Sequence, residues 1–303
     1  MTLKDLLLFV RLSRPIFLLG AALFYFLGVG IAHYLGYAIN FEVFFLGLLW
    51  VSLCQLSAQY LNEYFNSIAD GQNLQRTFLT GGSGVIGPGG LSRKVALFAA
   101  YTSLAILASI TVLLFSYAEL APSIYLIMVF ALFVSIFYST PPLKLEGSGY
   151  GELLVSILIA FFVPGFAYIL QTGEWHRLVA MSSFPLTALH LAMLIAFELP
   201  DYATDIKFDK KTLLVRLGWQ YGMIFHNILI LSAFLLLSFS RIFGYPWFAT
   251  LAGLLALPIG IFQIWQLRQI GNGVKPNWNA LMIGSVSMLV LAAYLITFSF
   301  WVN

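Results

Sequence analysis

The sequence predicts an all-α, polytopic membrane bundle, and three observations lead to that fold class. Of its 303 residues, 61% are apolar and only 9% are charged, whereas an ordinary soluble domain carries about 25% charged residues. The apolar residues gather in runs long enough to cross roughly 30 Å of hydrocarbon as helices, which takes about 20 residues each. The runs are also continuously apolar, without the ten-residue alternation of lipid-facing and lumen-facing positions that marks a barrel strand.

The chain begins MTLKDLLLFVRLSRP, an amphipathic lead with both acidic and basic residues and without the charged region, long apolar core and small-residue cleavage site of a leader. No processing is expected. Nine apolar runs follow, at 15–34, 43–66, 95–115, 122–140, 151–171, 179–200, 219–240, 248–267 and 279–301. The connections at 67–94 and 201–218 are long and polar, whereas the outer connections are mostly short. The whole chain, 1–303, reads as one membrane domain whose two long loops cap a site. A helix ending in acidic and amide residues opens each loop, which suggests a weak two-fold repeat without residue-by-residue duplication.

Placing the N-terminus in the cytoplasm leaves thirteen of the fifteen Lys and Arg residues inside and only Arg177 and Arg241 outside. That division satisfies the positive-inside rule and supports both the span count and the orientation, with the active-site loops cytoplasmic. The net charge of +3 is small, and the basic residues form no stripe interleaved with aromatics, so nucleic acid is not an expected partner. The lone Cys54 provides neither a disulfide framework nor a cysteine zinc site.

Two constellations carry chemistry. At the inner end of the second run, Asn62, Asn66 and Asp70 recur at i, i+4 and i+8 on one helix face, bordered by Glu63. Ser52, Gln55 and Gln59 continue that polar face deeper, where hydrogen bonding between helices explains them as well as a wet cavity does. At the inner end of the sixth run, Asp201, Asp205 and Asp209 recur at i+4. Carboxylates on one face repel each other unless a cation intervenes, and Mg²⁺ suits them because it takes oxygen ligands from one or two carboxylates and from substrate phosphates. A solvated charged loop is the bland reading of the second cluster, since Lys207, Lys210 and Lys211 alternate with the acids. Two such clusters at one depth, in two halves of a bundle, favour a metal and diphosphate site. Arg14, Arg76, Lys144, Lys207 and Arg216 are the candidate cations for diphosphate charge, although the positive-inside bias alone would also place them there.

Gly82 to Gly87 spells G-x-G-x-x-G, but it follows no strand and opens no βαβ unit, so the dinucleotide fingerprint does not apply. A cap over the polar site is the economical reading of this glycine-rich segment. His190, close to three turns before Asp201, faces either the same cavity or a neighbouring helix.

These residues resemble the UbiA-type intramembrane prenyltransferase superfamily over nearly the whole chain. The resemblance is carried by Arg14-Pro15, Asn62-Glu63-x-x-Asn66-x-x-x-Asp70, Tyr138-Ser139-Thr140-Pro141-Pro142-Leu143-Lys144-Leu145, Gly149-Tyr150-Gly151-Glu152, Asp201-x-x-x-Asp205 and the run from Lys210 to Gly218. It implies about nine helices around a central cavity, with two aspartate-rich motifs binding Mg²⁺ and prenyl diphosphate. By that resemblance Asn62, Asn66, Asp70, Asp201 and Asp205 hold metal. Asp70, Asp201 and Asp205 are then catalytic, and Asn62, Arg14, Arg76, Lys144, Lys207 and Arg216 bind substrate. The departure is in the first motif, where the family usually has Asp at both positions that are Glu63 and Asn66 in this chain. An Asn66→Asp change is therefore expected to preserve or raise activity.

The expected function is transfer of a prenyl group from its diphosphate to an aromatic acceptor within the membrane, in quinone biosynthesis of the menaquinone type. Membrane lipid is the remaining partner, and the sequence specifies no oligomeric state. The alternatives are a terpene cyclase or a lipid or chlorin prenyltransferase of the same superfamily, a secondary transporter, or an idle scaffold. Acids gathered at helix ends rather than at mid-membrane breaks count against transport.

Overall fold

In hydrocarbon every backbone polar group must be satisfied within the segment, so the apolar runs fold as helices. The computed structural model describes residues 3–73, 76–117 and 119–303; two positions of the first long loop, 74–75, lie outside that range. Thirteen α-helices are present among the described residues. They are α1 (Leu3–Leu12), α2 (Pro15–Tyr34), α3 (Phe41–Gly71), α4 (Arg93–Tyr117), α5 (Pro122–Phe137), α6 (Gly151–Ile157), α7 (Val163–Thr172), α8 (Arg177–Lys207), α9 (Leu213–Leu217), α10 (Trp219–Phe239), α11 (Trp247–Leu254), α12 (Leu257–Gly271) and α13 (Trp278–Val302). The chain is an integral, multi-pass membrane protein.

Among the described residues, eight helical segments are long and apolar enough to cross a membrane. The ninth expected span, 122–140, is shorter than its apolar run: α5 has 16 residues, or ~24 Å of rise. Pro141 and Pro142 follow closely, and the residue before a proline is pushed out of the helical region. α6 and α7 form one continuous segment through a π-helical turn at Leu158–Phe162. Pro164, just past that turn, has no N–H to give the helix. Gly28 of α2 packs against this segment so closely that a Cβ there would overlap the Pro164 carbonyl oxygen.

α3 and α8 contain 31 residues each, ~46 Å of helix against ~30 Å of hydrocarbon. Both therefore extend past their apolar runs, so residues 67–71 and 201–207, expected in loops, are helical. The extensions carry the acidic clusters. α3 begins at Asn40, whose Oδ1 accepts from Glu42 N and Val43 N at 3.0 and 3.2 Å and satisfies two free donors of the first turn. α2 packs mainly against α7 and α13, α3 against α4, and α8 against α10. One continuous apolar core is shared by these helices, while a second cluster around Leu12, Tyr60 and Val85 sits beneath α1. α1 keeps Leu3, Leu6, Leu7 and Val10 exposed. This apolar stripe, with the Lys4 ammonium donating to Gly89 O at 3.3 Å, is the pattern of a helix lying in the membrane surface.

Candidate active site

α3 and α8 aim their extended ends at one cavity of about 360 Å³. Asn62, Asn66 and Asp70 reach it from α3, and Asp201 and Asp205 from α8. The i+4 spacing in each helix accounts for this alignment. Six carboxyl side chains line the cavity among the described residues (Asp70, Glu146, Glu152, Glu198, Asp201 and Asp205) against two cationic ones, Arg14 and Lys210. Deeper walls are apolar and aromatic, with Phe17, Phe24, Trp50, Leu158, Phe197 and Leu289 among them. An acid-rich mouth thus opens on a greasy chamber.

The mouth is held by specific contacts. Asn62 donates from Nδ2 to Ser139 Oγ and to Glu146 Oε2, both at 2.9 Å, and Asn66 Nδ2 donates to the same Glu146 oxygen at 2.7 Å. Lys210 Nζ lies 3.6 Å from that oxygen. On the opposite helix, Asp201 Oδ1 accepts from Asn73 Nδ2 at 2.7 Å and from Thr80 Oγ1 at 3.5 Å. Asp205 is 8% exposed, and its carbonyl oxygen accepts from Lys210 N at 2.8 Å, which turns the chain back over the acids. Partial burial alone would lower the Lys210 ammonium. Glu146, Asp205, Tyr138 and Asp70 together outweigh it and hold the group above its ordinary value, so Lys210 stays charged.

Glu63 works differently from its neighbours on α3. Its carboxylate is 3% exposed and does not line the cavity; it accepts from Ser83 N at 2.6 Å and Ser83 Oγ at 2.7 Å, and Arg14 Nε lies 3.3 Å away. These bonds hold the glycine-rich segment, and Gly81 and Gly82 lie in the cavity wall. Gly82 has φ +76°, and a Cβ there would overlap the Asp70 carboxylate, so glycine is required both for the turn and for the approach. Arg14 itself is left-handed at φ 44°, a strained conformation for a residue with a side chain. The ion pair with Glu63 and packing of its guanidinium 5.5 Å over the Phe17 ring hold it there.

Of the cations expected to bind substrate, Arg14 lines the cavity and four others lie outside its wall. Arg76 lies in the first long loop with its guanidinium against Gly84, where burial lowers its pKa. Lys144 is exposed in the connection after α5. Lys207 is exposed at the end of α8 and donates to Gln72 Oε1 at 2.9 Å. Arg216 lies over the Tyr150 ring at 5.7 Å on the outer side of α9. Each follows the local direction of its helix or turn, which the count of basic residues near an acidic cluster does not encode.

The structure adds residues that sequence reasoning did not assign to the site. Lys210 enters because Asp209, left-handed at φ 51°, reverses the chain after α8. Glu152 and Glu198 sit side by side at the start of α9, where Glu152 Oε2 accepts from Leu213 N at 3.4 Å and Glu198 Oε2 from Leu214 N at 2.9 Å. Glu146 and Tyr138 come from the α5–α6 connection, and Glu146 N donates to Tyr138 O at 2.9 Å. The motif around Tyr138 was visible in the sequence, but nothing in its spacing shows Glu146 reaching α3. His190 does line the cavity, and its Nδ1 also lies 3.0 Å from Ser156 Oγ.

The donor set fits a hard divalent cation shared with a phosphate ligand. Its members are carboxylate and amide oxygens, which such ions prefer. Among the described residues no three His, Cys, Asp or Glu side chains converge closely enough to cage an ion unaided. That openness matches Mg²⁺, which is usually held by one or two carboxylates, waters and substrate phosphate.

Fold and site together define an intramembrane bundle with an acid-rimmed apolar chamber. A model of the UbiA prenyltransferase family matches residues 17–286, and the chain belongs to that family. No curated protein matches the chain. Among solved structures it is similar to a digeranylgeranylglyceryl phosphate synthase, at 14% identity over 99% of this chain and 98% of that one, with a TM-score of 0.65. It is also similar to a UbiA homologue from Aeropyrum pernix K1, at 14% identity over 93% and 97% of the two chains and a TM-score of 0.64. A UbiA homologue from Archaeoglobus fulgidus bound to DMAPP and Mg²⁺ aligns at 17% identity over 95% and 98%, with a TM-score of 0.61. At these identities the likeness is one of fold.

Proposed function

We propose that this protein transfers a prenyl group from a prenyl diphosphate to an aromatic acceptor, with Mg²⁺ at the mouth of the cavity. The carrying observation is one cavity of about 360 Å³ that joins six carboxyl groups and two cations at its mouth to apolar and aromatic walls deeper in. A diphosphate entering an acid-rich mouth is repelled unless a divalent cation lies between, and the chamber beyond suits an isoprenoid tail. The Archaeoglobus homologue bound to DMAPP and Mg²⁺ supports the pairing of these ligands.

Asn62, Asn66, Asp70, Asp201 and Asp205 would hold the ion; when bound, it neutralises charge that develops on the leaving diphosphate. Arg14 and Lys210 face the same mouth and place fixed positive charge near the leaving group. Gly81 and Gly82 cover it. The aromatic walls shield the allylic cation from water once the carbon–oxygen bond opens. An acceptor ring held beside that carbon then forms the new carbon–carbon bond and releases a ring proton. The resemblance of the second loop supports a menaquinone-type quinone precursor as acceptor, and the positive-inside count supports a cytoplasmic mouth.

Incubation of purified protein with prenyl diphosphates of several lengths and a panel of aromatic acceptors, followed by mass spectrometry, tests this reading. A prenylated aromatic product supports it. A cyclised hydrocarbon, or diphosphate release that needs no acceptor, assigns the site to a cyclase or hydrolase instead.

A further inference from the structure

Glu146 lies on neither acidic helix. It sits on the short turn Leu145–Gly147 between α5 and α6, 4% exposed, and one of its oxygens receives both α3 amides. Asn62 Nδ2 is 2.9 Å and Asn66 Nδ2 2.7 Å from Glu146 Oε2, and Lys210 Nζ is 3.6 Å from the same atom. A side-chain amide carries its oxygen on the far side of Cγ from its nitrogen. Fixing both nitrogens on one carboxylate therefore turns both amide oxygens away from Glu146, in side chains that line the cavity. Flipping either amide would set its oxygen against the carboxylate, which accepts hydrogen bonds and cannot donate while ionised. An amide ligates a hard cation only through oxygen. Ligand capacity at Asn62 and Asn66 thus depends on which way the amides point.

We infer that Glu146 is a positioning residue for the cation, an inference that rests on the proposed metal and diphosphate reading. It presents the amide oxygens of Asn62 and Asn66 to the divalent ion, and Lys210 supplies its counter-charge. Asn66 and Glu146 are a matched pair: a carboxylate at position 66 would meet the Glu146 carboxylate where a donor now stands. The geometry therefore reverses the expectation that Asn66→Asp preserves or raises activity. It also predicts a specific rescue. With Glu146→Gln present, the introduced amide nitrogen, in the place of Oε2, can donate to a carboxylate at 66, while Asn62 keeps its bond to Ser139 Oγ.

The test uses full-length protein in detergent as wild type, Glu146→Gln, Asn66→Asp and the double variant. Melting is followed against Mg²⁺ concentration with geranyl thiodiphosphate, a substrate analogue that ionises slowly, and Mg²⁺-dependent diphosphate release from geranyl diphosphate is measured in parallel. Each single variant should need about tenfold or more Mg²⁺ for its half-maximal melting shift, as expected when a group orienting a ligand is lost, and the double variant should return to within about threefold of wild type. Tighter or unchanged Mg²⁺ dependence in Asn66→Asp, or a double variant no better than the weaker single, overturns the inference. If Glu146→Gln shows no cooperative melt, Asn66→Asp against the double variant decides by the same criteria. A wild type indifferent to Mg²⁺ and the analogue overturns the metal-diphosphate reading and this inference with it. A wild type that responds, with variants that respond alike, overturns this inference alone.

Discussion

Glu63 and Ser83, twenty residues apart, are joined twice: the Glu63 carboxylate accepts from the Ser83 backbone N–H at 2.6 Å and from its hydroxyl at 2.7 Å. The two bonds tie the glycine-rich segment to α3, and Arg14 at 3.3 Å balances the charge. Glu63→Ala should release the cap and leave a partly buried guanidinium unpaired, costing about 1–3 kcal/mol of stability. Hydrogen exchange over residues 77–90 should accelerate while the rest of the bundle is unaffected. Unchanged exchange in that segment would remove Glu63 from the role of clamp.

Gly82 sits at φ +76° against the Asp70 carboxylate. Gly82→Ala combines a strained backbone with a collision at a proposed ligand, and should cost more than about 1 kcal/mol. Activity should fall in protein that still melts cooperatively, because the displaced group is Asp70. Full activity with an unchanged melting temperature would mean that the cap does not approach Asp70 in the working protein.

Asp201→Ala and Asp205→Ala each remove a carboxylate from α8. Turnover should drop by about a hundredfold or more in either variant, with excess Mg²⁺ recovering only part of it. Steady-state kinetics across a Mg²⁺ series would show this, and wild-type turnover in both variants would sink the assignment of α8 to the metal.

Lys210 faces the cavity and remains charged, whereas Lys207 is exposed and engaged with Gln72. Lys210→Met should raise KM for the prenyl diphosphate about tenfold through loss of a charge-assisted contact, while Lys207→Met should change it by less than about twofold. Equal effects at the two positions would show that bulk positive charge, rather than a placed ammonium, draws the substrate.

The bundle was legible in the sequence because hydrocarbon imposes one rule, and runs such as 15–34 and 279–301 obey it without interruption. The exception is the run at 122–140, where hydropathy continues through Tyr138 while the coming Pro141 and Pro142 end the helix at Phe137. The amide and acid side chains that line the cavity mouth were legible for a local reason: Asn62, Asn66 and Asp70, or Asp201 and Asp205, share a face by helical spacing alone. The basic and bridging groups were not. Lys210 and Lys207 are three residues apart in one charged run, and only the left-handed turn at Asp209 sends one into the cavity and leaves the other outside. Glu146 bonds to residues 80 and 84 positions away, a relation that no spacing within its own segment encodes.

The most direct test of the central claim is diphosphate release by purified protein from geranyl diphosphate and longer prenyl diphosphates, with an aromatic acceptor panel, in Mg²⁺ and again after chelation. Release that requires Mg²⁺ and acceptor together, accompanied by a prenylated product, is the predicted result. Folded protein that releases no diphosphate under any of these conditions would contradict the account.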